Sequence, residues 1–149
     1  MFAFVTSPPE QQTHETTPPD GYEGGEMECD SEYATTGTST VSVSTNMQIN
    51  VEFSDRLTSS AEHFDTRRGQ MQRGRGENGP VPGVGTDAYS DADIMPNGHG
   101  AYYTIVAWDS NAYISLYVLV GDKNTPVTRA RLDTLFAPLV QNAFNSLRG

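Results

Sequence analysis

The stretch TVSVSTNMQINVEF, residues 40–53, decides the fold because its side-chain types alternate along it, except for the polar Thr45 at an odd position. Apolar residues fall on odd positions and polar residues occupy every even one. A period of two puts successive side chains on opposite faces of a β-strand. The stretch therefore predicts a long strand in an antiparallel sheet with one covered face. The alternative is a bulge or turn at Thr45–Asn46, which would divide it into two shorter strands.

Further strands are predicted on both sides of this stretch. One covers residues 26–33, followed by turn residues 34–39, and a short one covers residues 86–90. The clearest hairpin joins residues 102–108 to residues 112–120 through the polar residues 109–111. In its second strand, one face is predicted to carry Ile114, Leu116, Val118 and Val120, and the other Tyr113, Ser115 and Tyr117.

Two segments have the period of an amphipathic helix. The first is residues 55–72, with Ser54 or Asp55 as its N-cap. The second follows Thr125 or Thr128 as N-cap and carries Pro138 on its polar side. Its apolar positions are Leu132, Leu135, Phe136, Leu139, Val140, Ala143, Phe144 and Leu147. The predicted class is therefore α+β, an antiparallel β-sheet with one face covered by amphipathic helices, including a C-terminal helix.

The chain divides into an arm and a domain by composition. Residues 1–25 are rich in Pro, Thr, Gln and Glu and offer little to bury, which predicts a flexible Pro/Thr-rich arm or linker. Residues 26–149 are predicted to form a single α+β domain, with a loop at residues 75–85.

Several classes of function are disfavoured by composition. The net charge of −10 repels phosphate backbones, so nucleic-acid binding is not expected. A single cysteine, Cys29, excludes a disulfide within the chain, and it is either a small, partly buried side chain or a bridge between chains. No apolar run reaches the ~20 residues of a membrane helix. A membrane association would require a segment upstream of Met1.

The sequence predicts no catalytic residues, no cofactor and no metal ligands. His14, His63 and His99 lack the spacing of a metal site. Asp87, Asp91 and Asp93 in GTDAYSDAD, residues 85–93, would suit calcium, but a solvated acidic turn is the favoured interpretation because the EF-hand order is missing.

Two groups of residues are candidates for binding a partner. The arginine cluster, Arg67, Arg68, Arg73 and Arg75, reverses the local charge of an acidic chain. Its alternative is a solvated helix end whose cations complement the helix dipole. Tyr113 and Tyr117 share one face of the hairpin and would supply an aromatic contact surface. Their alternative is edge packing beneath a loop.

PVPGVGTDAYSDAD, residues 80–93, followed by the hairpin and the closing helix, resembles small exported actinobacterial lipoprotein-like domains of unknown function. The residues that carry this resemblance are Pro82, Gly83, Val84, Gly85, Asp87, Ala88 and Tyr89. The resemblance implies an architecture similar to the Mog1/PsbP-like α-β-α sandwich, and a location outside the cytoplasm, associated with membrane or wall.

These observations lead to two functional expectations. The first is a non-enzymatic extracytoplasmic binding or adaptor domain on a flexible tether, contacting a protein or cell-envelope component. The second is a structural or accessory subunit of an envelope or virion assembly, whose N-terminal arm contacts a neighbouring subunit.

Overall fold

The computed structural model describes residues 11–17, 25–33, 41–51 and 59–148. In chain order its elements are β1 Gln11–Thr17, β2 Gly25–Tyr33, β3 Val41–Val51, α1 Ser60–Gln72, β4 Glu77–Pro80, β5 Asp87–Ile94, β6 Gly100–Asp109, β7 Ala112–Asp122 and α2 Arg129–Leu147. The strands form a seven-stranded sheet in the order β1-β2-β3-β7-β6-β5-β4, and the paired neighbours run antiparallel. The predicted α+β class is confirmed.

Strand β3 is an interior strand of the sheet, between β2 and β7, and its antiparallel pairing agrees with the prediction from its long alternation. It pairs with β7 in an unbroken register from Val41 opposite Asp122 to Val51 opposite Ala112. The register passes through residues 45 and 46, so the strand is not divided there. Ile49 stands opposite Ile114, and both are buried in the main core.

The two helices cover opposite faces of the sheet, whereas the sequence predicted both on one face. Helix α2 buries Phe136 in the cluster that contains Tyr103 and Ile105 of β6. Helix α1 buries Phe64 in a second cluster with Val106, the next residue of β6. Because successive residues of a strand point to opposite faces, the helices sandwich β6 between them.

The reason for this difference lies in the apolar content of α1. Its buried residues are Ser60, Phe64 and Met71, so that only two of them, Phe64 and Met71, are apolar. This buried side fits the small group formed by Tyr89, Val106, Trp108 and Tyr113 on the face away from α2. The broader apolar side of α2 occupies the larger core.

The helix ends follow their capping residues. Helix α1 begins after Ser59, which forms a capping box with Glu62, so the predicted N-cap at Ser54 or Asp55 is wrong and those residues lie outside the described part of the chain. Helix α2 begins after Thr128, whose hydroxyl accepts a hydrogen bond from the N–H of Arg131. Pro138 is exposed within α2, as predicted, and the helix continues through it.

Two strands lie where the sequence predicted none. Strand β1 belongs to the predicted arm and pairs with β2 over its whole length, with Gln11 opposite Glu32. Its threonines favour an extended backbone. The mobility of the arm stays a prediction, and the rest of residues 1–24 lies outside the described residues. Strand β4 lies within residues 75–85, which were predicted to form a loop, and it pairs with β5.

Gly85 shows why the turn before β5 needs glycine. Its φ is +55°, and a Cβ there would lie 2.6 Å from the carbonyl oxygen of Trp108. Its N–H donates a 2.9 Å hydrogen bond to Oε1 of Gln141 in α2. The turn is thereby tied to both the sheet and the closing helix.

Candidate functional site

The four predicted arginines do not act as one group. Arg68 pairs with Asp65 at 2.6 Å and with Asp87 at 3.3 Å, and its guanidinium carbon lies 5.2 Å from the centre of the Phe64 ring. These contacts link α1 to the start of β5. The side chain of Arg68 therefore serves the packing of α1 on the sheet.

The other three arginines are exposed. Arg67 donates a 2.9 Å hydrogen bond to Oε1 of Gln70 on the same helix. Arg73 is the C-cap of α1, and Arg75 follows it in the turn before β4. The helix end therefore presents positive charge to solvent, as both interpretations of this cluster required.

Tyr113 and Tyr117 have different surroundings although they share a strand face. Tyr113 is half-buried, packs against the cluster around Phe64, and has its ring centre 6.1 Å from that of His63. Burial raises the pKa of its hydroxyl, and the charge of Arg67 opposes this in part. Tyr113 therefore belongs to the packing beneath α1.

Tyr117 lies beyond the area that α1 covers. It is 41% exposed, and its ring stacks on that of Tyr102 with centres 6.4 Å apart and an angle of 29° between the ring planes. Tyr102 is 46% exposed and pairs across the strands with Leu119, which is 36% exposed. We refer to Tyr102, Tyr117 and Leu119 as the tyrosine patch.

An acidic row follows the same face of the sheet on the other side of β3. Strand β2 carries acids at alternate positions, which we call the acidic strip: Glu26, Glu28, Asp30 and Glu32. The register places Asp30 opposite Asn46, which is opposite Tyr117, and Glu32 opposite Ser44, which is opposite Leu119. Paired positions share a face of a sheet, so the register assigns these positions of β2 to the side of the sheet that carries Tyr117 and Leu119.

Sequence reasoning identified Tyr117 and missed the rest of this surface. The alternation in GEMECDSEY, residues 25–33, was a sufficient signal for the acidic strip. Tyr102 and Leu119 required the register of the hairpin, because they become neighbours only when β6 and β7 pair. Cys29 lies between two acidic positions of β2. In the register it stands opposite His14 of β1 and Met47 of β3.

A buried polar network joins α2 to the face of the sheet that it covers, which is the face away from the tyrosine patch. Oδ1 of Asp133 accepts hydrogen bonds from Ser90 at 2.6 Å and from Tyr103 at 2.9 Å. Arg129 donates to the Ser90 hydroxyl at 3.0 Å and pairs with Asp133 at 3.2 Å. A Cβ at Gly79 would lie 3.1 Å from the Arg129 guanidinium, so glycine leaves room for it. Every member of this network is engaged by another.

Asp122 and Asp109 anchor the two ends of α2. Burial opposes ionisation of Asp122, but hydrogen bonds from Arg131 and from the N–H groups of Asn124 and Thr125 hold its pKa below the ordinary value. Asp109 forms an ion pair with Arg148 after the last turn. These are structural roles that spacing alone did not reveal.

The acidic turn considered for calcium is dispersed along β5. Asp87 pairs with Arg68, and Asp93 is exposed. Oδ1 of Asp91 is buried without a hydrogen-bond partner among the described residues. Burial and then the charge of Asp93 raise the pKa of Asp91, while Arg67 and Asn78 oppose the shift. Within the described ranges, no group of three or more His, Cys, Asp or Glu side chains is placed to hold a metal ion.

Comparisons with known proteins found no match: no family model, no curated protein and no solved structure resembles the chain significantly. The similarity to the Mog1/PsbP-like sandwich therefore stays a prediction. Over the part of the chain that the structure describes, neither helix has the length and apolarity needed to cross a bilayer.

Proposed function

We propose that this protein is a non-enzymatic binding domain that contacts a protein or cell-envelope component through the tyrosine patch. The observation that carries the proposal is the position of the exposed Tyr102–Tyr117 stack on the part of the sheet that α1 leaves open. Tyrosine and tryptophan supply apolar area with a polar group and are enriched where proteins meet.

The concentration of exposed apolar side chains supports this choice. Among the described residues, the exposed large hydrophobic side chains are Tyr102, Tyr117, Leu119 and Leu147. Three of the four belong to the patch. Single exposed apolar side chains are common on soluble proteins, whereas a contiguous group marks an interaction site more often.

The state of the buried polar groups favours binding over catalysis. Asp133, Asp122 and Asp109 each accept from groups that hold α2 or its adjoining turns against the sheet. A catalytic group needs a perturbed acid or base that is open to a substrate. The two buried carboxylates, Asp122 and Asp109, are instead occupied by structural partners, and Asp91 is the described carboxylate that combines a raised pKa with an unpartnered oxygen. A location outside the cytoplasm completes the proposal and rests on the resemblance of residues 80–93. The tether proposed from the composition of residues 1–25 does not include residues 11–17, which pair with β2 in the sheet.

Site-specific photo-cross-linking tests the binding role. A photoreactive phenylalanine replaces Tyr117 in one variant and Leu147, at the far end of α2, in the matched control. Both variants are exposed to envelope extract of the producing cells. We expect a cross-linked species of defined mass at position 117 only, and its loss when Tyr102→Ser is added. Equal labelling at both positions, or none at position 117, would contradict the proposal.

One observation favours the second candidate, a structural or accessory subunit. Strand β1 comes from the predicted arm and pairs with β2 over seven residues. The same pairing made with the arm of a neighbouring copy would link subunits by strand exchange. Light scattering after size exclusion tests this directly. An oligomer that becomes a monomer when residues 1–24 are removed would support it, and a full-length monomer would exclude it.

A further inference from the structure

Asparagine is followed by glycine at two places in the chain, Asn78–Gly79 and Asn97–Gly98. Glycine has no Cβ, so its backbone nitrogen can approach the preceding side chain with little steric hindrance. In such a pair the glycine nitrogen can form a bond with Cγ of the asparagine and displace ammonia. The surroundings of each pair decide whether this reaction occurs, and the two pairs have opposite surroundings.

The amide group of Asn78 is held at both of its ends. Its Oδ1 accepts a hydrogen bond from the hydroxyl of Tyr89 at 2.7 Å, and its Nδ2 donates to the carbonyl oxygen of Gly76 at 3.1 Å. Gly79 is buried and stands opposite Ser90 in the ladder of β4 and β5. The amide of Asn78 therefore meets the nitrogen of Gly79 only when this edge of the sheet opens.

Asn97 is exposed in the turn between β5 and β6. Gly98 has a φ of +71°, and a Cβ built on it would meet no atom within 4 Å, so the space beside this glycine is open. The N–H of His99 donates a 2.9 Å hydrogen bond to Oδ1 of Asn97. Negative charge develops on this oxygen when Cγ is attacked, and a donated hydrogen bond stabilises that charge.

One hydrogen bond opposes the attack. The N–H of Gly98 donates to the carbonyl oxygen of Met95 at 2.8 Å, and this bond must break before the nitrogen can react. A single bond in an exposed turn opens far more readily than a paired strand does. The reaction at Asn97 therefore needs only a local movement of the turn.

We propose that Asn97 is a site of spontaneous deamidation and that its isoaspartate product loosens the start of α2. The nitrogen of Gly98 loses its proton to hydroxide and bonds with Cγ of Asn97. The Cγ–Nδ2 bond breaks, and Nδ2 takes up a proton and leaves as ammonia. Water then opens the cyclic imide at one of its two carbonyl groups. The product is either aspartate with the original backbone or isoaspartate, whose backbone runs through the former side chain, and no atom is oxidised or reduced.

The isoaspartate product affects α2 because this turn holds the segment that leads into the helix. The carbonyl oxygen of Gly98 accepts from the N–H of the buried Val127 at 2.9 Å, and that of His99 accepts from the N–H of Asp122 at 2.8 Å. Isoaspartate adds one CH₂ group to the backbone before Gly98 and so displaces its carbonyl group. Aspartate keeps the backbone length and an oxygen that accepts the N–H of His99.

Peptide mapping of the aged full chain tests the site. One tryptic peptide, residues 76–123, contains both asparagine–glycine pairs, so fragment spectra compare them within the same molecule. The protein is aged in mildly alkaline buffer made with oxygen-18 water, which labels the carboxylate formed when the imide opens. The digest is made in ordinary water, so later deamidation carries no label. We expect label at Asn97 and at least about tenfold less at Asn78.

Unfolded protein provides the matched control. In denaturing urea both pairs should react at rates within about threefold of each other, because the contacts that distinguish them are lost. Asn97→Gln should carry no label at position 97, since the longer side chain forms a less favourable ring. Label on both pairs at similar rates in the folded protein, or label at position 78 alone, would overturn the site. So would the absence of label at both when the chain in urea reacts.

Urea unfolding of the aged protein tests the effect on α2. The midpoint of the wild type should fall in proportion to its isoaspartate content, whereas aged Asn97→Gln should keep its midpoint. Fresh Asn97→Asp represents the product with the original backbone and should unfold like fresh wild type. Isoaspartate at position 97 with an unchanged midpoint would show that the turn does not hold α2, and would overturn that part of the proposal.

Discussion

The two faces of the central hairpin use the same alternating strands for different purposes. On the α2 face, Tyr103, Ile105, Ile114, Leu116 and Val118 are fully or almost fully buried, and the polar groups among them are hydrogen-bonded. On the other face, α1 covers Val106 and packs against Tyr113 but leaves Tyr102, Tyr117 and Leu119 exposed. Period-two alternation therefore determines on which face of the sheet a residue lies. The length of sheet that the helix covers determines which residues on that face remain exposed to solvent.

The largest expected effect is in the core of the α2 face. Phe136 is fully buried and its ring centre lies 5.6 Å from that of Tyr103. Phe136→Ala should lower the free energy of unfolding by ~3–5 kcal/mol through lost burial and a cavity. Urea unfolding measures this, with Leu147→Ala at the exposed end of the same helix as control. Equal midpoints for the two variants would show that α2 does not pack as described.

The next effect tests whether the polar network on that face stabilises the fold. Asp133→Ala removes the acceptor shared by Ser90 and Tyr103 and the ion-pair partner of Arg129. We expect a loss of about 2–3 kcal/mol in urea unfolding, because buried donors are left unsatisfied. Asp133→Asn keeps an acceptor and should lose less. A wild-type midpoint for Asp133→Ala would indicate that water replaces the carboxylate.

The comparison is sharpest within one strand face, at Tyr113 and Tyr117. Tyr113→Ser removes a half-buried ring from beneath α1 and should cost about 2 kcal/mol. Tyr117→Ser removes an exposed ring and should change the free energy of unfolding by about 0.5 kcal/mol or less. Thermal and urea unfolding of the two single variants check this. Should Tyr117→Ser be the more damaging, the patch would be part of the core.

An effect smaller than that of Tyr113→Ser is expected at Asp122, at the end of β7 beside the start of α2. Its pKa is held below the ordinary value of 3.8, so its ionised form stabilises the folded state at neutral pH. Asp122→Asn should therefore cost about 1 kcal/mol at pH 7. The difference should shrink as the pH falls below about 4 and wild-type Asp122 is protonated. A difference that is independent of pH would assign the effect to shape and not to charge.

The sequence by itself determined the elements whose residues repeat with a clear period. The alternation at 40–53 predicted β3 and its buried side, confirmed by Ile49 opposite Ile114. The closing helix buries four of its predicted apolar positions, Leu132, Phe136, Val140 and Phe144. These predictions succeed because a helix or strand that buries one face has apolar residues at a regular spacing along the sequence.

Only the tertiary structure decided which helix covers which face and which polar groups meet. Ser90 and Asp133 are 43 residues apart, and no local sequence pattern predicts the hydrogen bond between them. Gln141 likewise accepts a hydrogen bond from the N–H of Gly85, which is 56 residues away in the chain. Tyr113 and Tyr117 are equivalent in sequence period, and they differ only because α1 covers one of them. Long-range packing sets such differences, since it depends on where distant segments come together and not on the residues beside them.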